Sequence, residues 1–190
     1  ANGYVAAKVK VGRQSVKKDA EMVHEVLNIM SDQVELRLDA NRAWSYEDAI
    51  AFGRAVGDVR VAYIEEPLAE PSRLEQFTKE SGMPVAIDES VAEGLYQDDF
   101  LQSKAWARAV VLKPTLLGGT RTAEDWAAEA IECGIKPVVA SCFESGVGLI
   151  ALAHLAATIT EADIPAGLDT YDWLAQDLLE RRFQAHNGPP

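Results

Sequence analysis

Lys10, Asp39, Glu65, Asp88 and Lys113 recur at intervals of 29, 26, 23 and 25 residues, and each closes a short β-rich run. In a closed eight-unit barrel of ~250 residues, one strand plus its helix takes roughly that length. Five successive strands would then deliver one ionisable group each to the same end of a parallel sheet. Lysine and carboxylate side chains are seldom buried without partners, so five in register are not core filling. Three carboxylates that converge on one point repel one another and stay ionised together only around a cation. Oxygen-only ligands select a hard ion, so Asp39, Glu65 and Asp88 are the metal candidates, for Mg²⁺ with Mn²⁺ as a substitute. No His or Cys stands at these strand ends, which disfavours zinc. His24 and His154 fall inside helical patterns and His186 in the tail, as structural or surface groups.

Two lysines flanking such a cluster point to acid–base chemistry at carbon. A divalent ion on a carboxylate stabilises the charge left behind when an α proton departs. A lysine held beside that ion is a weaker ammonium and a better base. Lys10 and Lys113 are therefore the catalytic candidates. Lys8 precedes Lys10 by two residues and shares its side of the strand, placed to neutralise a substrate carboxylate. Asn41 either orients a metal-bound water or serves only as a turn residue. Glu66 and Glu89 point away from the adjacent ligands, as loop or supporting groups.

These groups need strands to carry them, and the chain supplies strand-like runs at Tyr4 to Lys10, Val34 to Asp39, Val59 to Glu65, Pro84 to Asp88, Ala107 to Lys113, Pro137 to Ser141 and Ile164 to Asp169. Helical periodicity separates them. Val16, Ala20, Val23, Leu27 and Met30 mark one helical face. Ser45-Tyr46-Glu47-Asp48 opens another helix with a capping-box pattern. Leu74, Phe77 and Thr78 lie on one side of a third. A poorly marked helix is expected around Tyr96 to Gln102. Ala123, Ala127, Ala130 and Ile131 face inward from Thr122 to Cys133, an Ala/Leu-rich helix covers Val147 to Thr158, and a last one covers Trp173 to Arg181. Strict alternation implies parallel strands with right-handed crossovers. Both an open doubly wound sheet and a closed barrel satisfy it. No Gly-x-Gly-x-x-Gly follows the first strand, which weakens the dinucleotide-binding form. The four tryptophans, Trp44, Trp106, Trp126 and Trp173, are expected to pack.

A composition that is 48% hydrophobic and 25% charged is that of a globular chain with one sizeable core. The net charge of −12 argues against nucleic acid or an anionic membrane as partner, because both need a basic surface. Cys133 and Cys142 show neither metal spacing nor a disulfide framework, which fits a reduced, cytoplasmic setting. The absence of an initial Met and the loop-like end read as a piece of a longer protein.

Lys8-Val9-Lys10, Leu38-Asp39-Ala40-Asn41, Ile64-Glu65-Glu66-Pro67, Asp88-Glu89-Ser90 and Lys113-Pro114 together resemble the motifs of the enolase superfamily, in its muconate-lactonizing subgroup. Within that subgroup, Leu36 to Trp44, Ser141 to Gly148 and Gly167-Leu168-Asp169-Thr170 are most similar to the o-succinylbenzoate synthases. The resemblance implies an α/β fold: a TIM-like (β/α)7β barrel, incomplete here, with the first strand and an N-terminal capping domain absent. Residues 1–190 would be the partial C-terminal barrel domain. It implies a Mg²⁺-dependent lyase of menaquinone synthesis that dehydrates 2-succinyl-6-hydroxy-2,4-cyclohexadiene-1-carboxylate to 2-succinylbenzoate. Lys10 would take the α proton and return it to the departing hydroxyl, while Lys113 remains a cation on the other face. Ser145 and Gly146 begin a helix whose N-terminus either holds the succinyl carboxylate or is a plain cap. Partners would be a small dicarboxylate substrate and the protein's own capping domain. The alternative is a dipeptide epimerase or N-acylamino acid racemase of the same subgroup. Epimerases carry Asp-x-Asp on the last strand, whereas this chain has Asp169-Thr170-Tyr171-Asp172. A Schiff-base aldolase would leave the three carboxylates unexplained.

Overall fold

The computed structural model describes residues 4–58, 60–95, 97, 99–159 and 164–181. Six strands form one sheet in sequential order, every neighbouring pair parallel: β1 (Ala6–Lys10), β2 (Glu35–Asp39), β3 (Tyr63–Glu65), β4 (Val85–Ile87), β5 (Ala109–Leu112) and β6 (Lys136–Val139). Sequential order with a helix after each strand is the winding of a barrel, not of a doubly wound sheet, whose strand order reverses at a switch point. The seventh run contributes a single parallel bridge, Ala140 to Gly167, in place of the strand expected over Ile164 to Asp169. The sheet is thus an open portion of a barrel wall.

The helices are α1 (Val16–Ile29), α2 (Tyr46–Val56), α3 (Leu74–Ser81), α4 (Glu89–Gly94), α5 (Pro114–Leu117), α6 (Thr120–Glu132) and α7 (Gly146–Ile159). Ser15 and Ser45 cap α1 and α2, accepting from the amides of Lys18 and Asp48. At α2 the Ser45 hydroxyl also donates to the Asp48 carboxylate at 2.8 Å, so the Ser-x-x-Asp pattern closes through its side chains rather than through the Ser45 N–H. Two helix expectations need correction. The helix following the fourth strand starts at Glu89, directly behind Asp88, and Gln102–Lys104 is only a 3₁₀ turn; Tyr96 lies outside the described residues. Beyond the bridge at Gly167 the chain makes a 3₁₀ turn at Tyr171–Trp173 and no further helix through Arg181.

Alternation along the strands divides the core in two. Leu36, Leu38, Ile64, Val85, Ile87, Val110 and Leu112 face the helices and join one large cluster. Tyr63, Ala86, Ala109 and Val138, from four adjacent strands, form a small cluster on the opposite, inner face. Phe52 on α2 is fully buried and lies 4.4 Å, centroid to centroid, from Trp44. Truncating so enclosed a ring leaves a cavity. Phe52→Ala is expected to cost about 3–5 kcal/mol, and denaturant unfolding of the complete protein would measure it. Trp126 packs on Phe100 at 5.7 Å and Trp106 borders the core, but Trp173 is 80% exposed and Ile131 54%, against expectation. No helix among the described residues is long and apolar enough to cross a membrane.

Candidate metal and lysine site

Register places the chemistry. Lys10 pairs with Asp39 across the first strand pair, and Asp39 with Glu65 across the second. Asp88 and Lys113 each follow the last residue of their strand by one. The five groups read from the spacing therefore rise to one level at the carboxyl ends of β1 to β5. Each of Asp39, Glu65 and Asp88 is buried and offers one oxygen, and those three oxygens lie within 4.8 Å of one another. That spacing and an all-carboxylate donor set fit a hard divalent cation. Glu89, beside Asp88, adds a buried carboxylate oxygen with no hydrogen-bond partner among the described residues.

Three lysines surround the acids. Lys10 Nζ donates to Asp39 at 2.6 Å and to the Asn41 side-chain oxygen at 2.6 Å. Lys8 Nζ lies 3.0 Å from Glu65 and 3.3 Å from Asp39, on the same side of β1 as Lys10. Lys113 Nζ reaches Asp88 at 2.6 Å, at the far side of the cluster. Asn41 also donates to Glu89 at 3.0 Å and stands at φ 44°, so it is a turn residue that positions a lysine as well.

The charges set one another. Burial pushes Glu65 up to about 7; the negative charges of Asp39 and Asp88 add to this, and Lys8 opposes it. Burial also raises Asp88, with Lys113 offsetting only part. Asp39 is buried too, yet the hydrogen bond from Lys10 and the charges of Lys8 and Lys10 outweigh burial and hold it below the ordinary range. At Lys113 burial is outweighed by Asp88, so the ammonium is strengthened. Lys8 is raised likewise, with burial outweighed by Glu65 and then Asp39. A cation binding to Glu65 must displace the proton that this carboxyl takes up below about 7. Divalent-ion affinity is therefore expected to be lower at pH 6 than at pH 8, with a proton released on binding, and calorimetric titration at the two pH values checks it.

The remaining candidates behave differently. Gly146 begins α7 as expected, but its N–H already donates to Asp177 Oδ1 at 2.8 Å. Asp177 also accepts from the Tyr171 hydroxyl. Those bonds, Tyr171 first, bring its carboxyl down to about 2. The Ser145 hydroxyl oxygen accepts from the amide of Gly148 at 3.5 Å. This helix start thus carries a carboxylate from its own chain. His24 and His154 bond to backbone carbonyls away from the cluster, and His186 lies outside the described residues. Glu66, read from the sequence as a loop or supporting group, is fully buried and supports the neighbouring strand end: it accepts from the amides of Asp88 and Ser90 at 3.1 and 2.9 Å.

Residues 1–189 match the family described as Enolase C-terminal domain-like. The chain belongs to that family. An o-succinylbenzoate synthase of Yersinia pseudotuberculosis serotype O:3 (strain YPIII) is 38% identical over 180 residues, covering 93% of this enolase-like chain and 54% of the relative. Among solved structures, MenC from Desulfotalea psychrophila aligns with a TM-score of 0.84 at 27% identity, over 98% of this chain and 52% of that one. The L-Ala-D/L-Glu epimerase from Bacillus subtilis aligns at 0.76 and 28% identity, over 93% and 50%. The enolase-like chain thus spans about half the length of the relatives it matches.

Proposed function

We propose that this chain is the barrel portion of a Mg²⁺-dependent o-succinylbenzoate synthase acting in menaquinone biosynthesis. The observation that carries the reading is the pair of lysines on opposite flanks of one buried carboxylate cluster, Lys10 against Asp39 and Lys113 against Asp88. The synthase names of the relatives support the choice of substrate. Asp39, Glu65 and Asp88 would hold the Mg²⁺. A divalent ion there supplies Lewis-acid stabilisation for the charge that develops on a substrate carboxylate.

Lys10 does the proton work. As the free amine it takes the proton from the carbon bearing the ring carboxylate. As the ammonium it returns that proton to the ring hydroxyl, which departs as water while the ring becomes aromatic. One C–H and one C–O bond break, one double bond forms, and the lysine ends as it began. Asp39 and Asn41 keep its Nζ at the cluster edge. Lys113, strengthened as a cation by Asp88, stabilises the anionic intermediate from the other side. Lys8 neutralises carboxylate charge next to Glu65 and Asp39. Ser145 and the Gly146 amide would receive the succinyl carboxylate only with Asp177, which now accepts from that amide, displaced. The capping domain of the complete protein closes the site.

Epimerisation is the second reading, favoured by the structural likeness to the Bacillus subtilis epimerase. Against it, Asp172 follows Asp169 by three residues and sits in a 3₁₀ turn rather than on a strand. A free-amine ligand needs a carboxylate close by to be held away from water. The complete protein is expected to show a far higher kcat/KM for the succinyl cyclohexadiene than for dipeptides, measured on one preparation. A higher dipeptide value would replace the synthase reading and leave the lysines and carboxylates in place.

A further inference from the structure

The cluster's three acids end three different strands, and their spacing depends on what ties those strand ends together. One ion pair does so. Arg42, just past β2, donates from Nε to Glu66 at 3.1 Å, from one terminal nitrogen to Glu93 at 2.6 Å and from the other to the Ser90 hydroxyl at 2.9 Å. Its backbone N–H bonds to the Glu66 carbonyl at 2.7 Å. Glu66, the residue after Glu65, directs its second carboxylate oxygen to the amides of Asp88 and Ser90. The pair therefore links the ends of β2, β3 and β4, the strands that lead to Asp39, Glu65 and Asp88.

Backbone conformation points the same way. Asn41, Arg42 and Glu66 all take positive φ, at 44°, 59° and 36°, where residues with a Cβ are uncommon. Such a conformation persists where surrounding bonds over-determine it. Here it turns both side chains toward the β4 end. Glu66 has no exposed surface, and the amide of Asp88, a metal candidate, is one of its donors.

We propose that Glu66 and Arg42 are a positioning pair: without touching ion or substrate, they fix the Asp88 loop against Asp39 and Glu65 and so set the affinity of the cation site. This deepens the function proposed above and rests on its metal site. Groups that orient metal ligands typically change affinity 10- to 100-fold when lost.

The test uses the complete protein with Mn²⁺ as probe, its free concentration read by electron paramagnetic resonance. Glu66→Gln keeps the side-chain volume but turns an N–H₂ toward Arg42 or toward the two amides. The dissociation constant is expected to rise about 10- to 100-fold, with the Asp88 and Ser90 amides exchanging hydrogen faster and the near-ultraviolet dichroism retained. Arg42→Lys should act in the same direction, because one ammonium cannot serve Glu66, Glu93 and Ser90 in a fixed fork. Arg42→Met added to Glu66→Gln should weaken binding no further, since the pair acts as one unit. A folded Glu66→Gln protein whose Mn²⁺ affinity stays within twofold of wild type overturns the proposal. If that variant does not fold, Arg42→Lys decides by the same measure. A wild-type protein that binds Mn²⁺, loses affinity in the variants and yet makes no 2-succinylbenzoate refutes the activity while supporting the pair. One that binds no Mn²⁺ overturns the pair and the metal site together.

Discussion

Lys10→Ala, in the complete protein, is expected to abolish dehydration to the limit of detection. General acid–base catalysis contributes about 10²- to 10⁴-fold for one proton transfer, and Lys10 is asked to make two. Alanine also leaves Asp39 without its 2.6 Å partner, so the variant should be examined for retained metal binding before its rate is interpreted. Lys113→Ala is expected to lose about 10²- to 10³-fold in kcat, the size of one lost electrostatic donor. The two lysines are not equivalent in a one-sided elimination. Given a chiral N-acylamino acid in deuterium oxide, the protein without Lys113 should still wash deuterium into the substrate from the Lys10 face, and the protein without Lys10 should not. Near wild-type dehydration in either variant would end the two-lysine mechanism.

Removal of the divalent ion should be as damaging. A cation stabilises developing charge by several kcal/mol, and each 1.36 kcal/mol is tenfold in rate, so a loss of about 10³-fold or more is expected. Protein treated with a chelator and passed over a sizing column should be inactive and recover on addition of Mg²⁺. Glu65→Gln should prevent that recovery, because Glu65 sits between the acids of the neighbouring strands and is only 2% exposed. Full turnover after chelation would remove the three carboxylates from the chemistry altogether.

Much of this site was legible because charges at the ends of apolar runs are costly unless used, and their spacing matched one strand–helix unit. The parallel order followed from alternation alone. What the sequence hid has local causes. Helix α4 starts straight after Asp88 with no side-chain cap, so no start signal marks it. The segment after Asp172 carries apolar residues at helical intervals, yet Trp173 and Leu178 are 80% exposed and no core draws them in. For Glu66 the sequence left loop and supporting roles open, because period-two alternation assigns neighbours to opposite faces, and at φ 36° the chain has already left the strand. The 2.6 Å bond from Lys113 to Asp88 was hidden as well, because spacing along the chain brings strand ends together without pairing their side chains.

The level register from Lys10 through Asp39 to Glu65 has a consequence for descent. Neighbouring strands are spaced about 4.8 Å apart by their hydrogen bonds, so the ladder is a ruler that every copy of the gene redraws. Insertions in the loops beyond it leave the graduations unchanged. Natural selection can then rewrite those loops for a new ring, acid or peptide while the proton-moving apparatus is passed on intact.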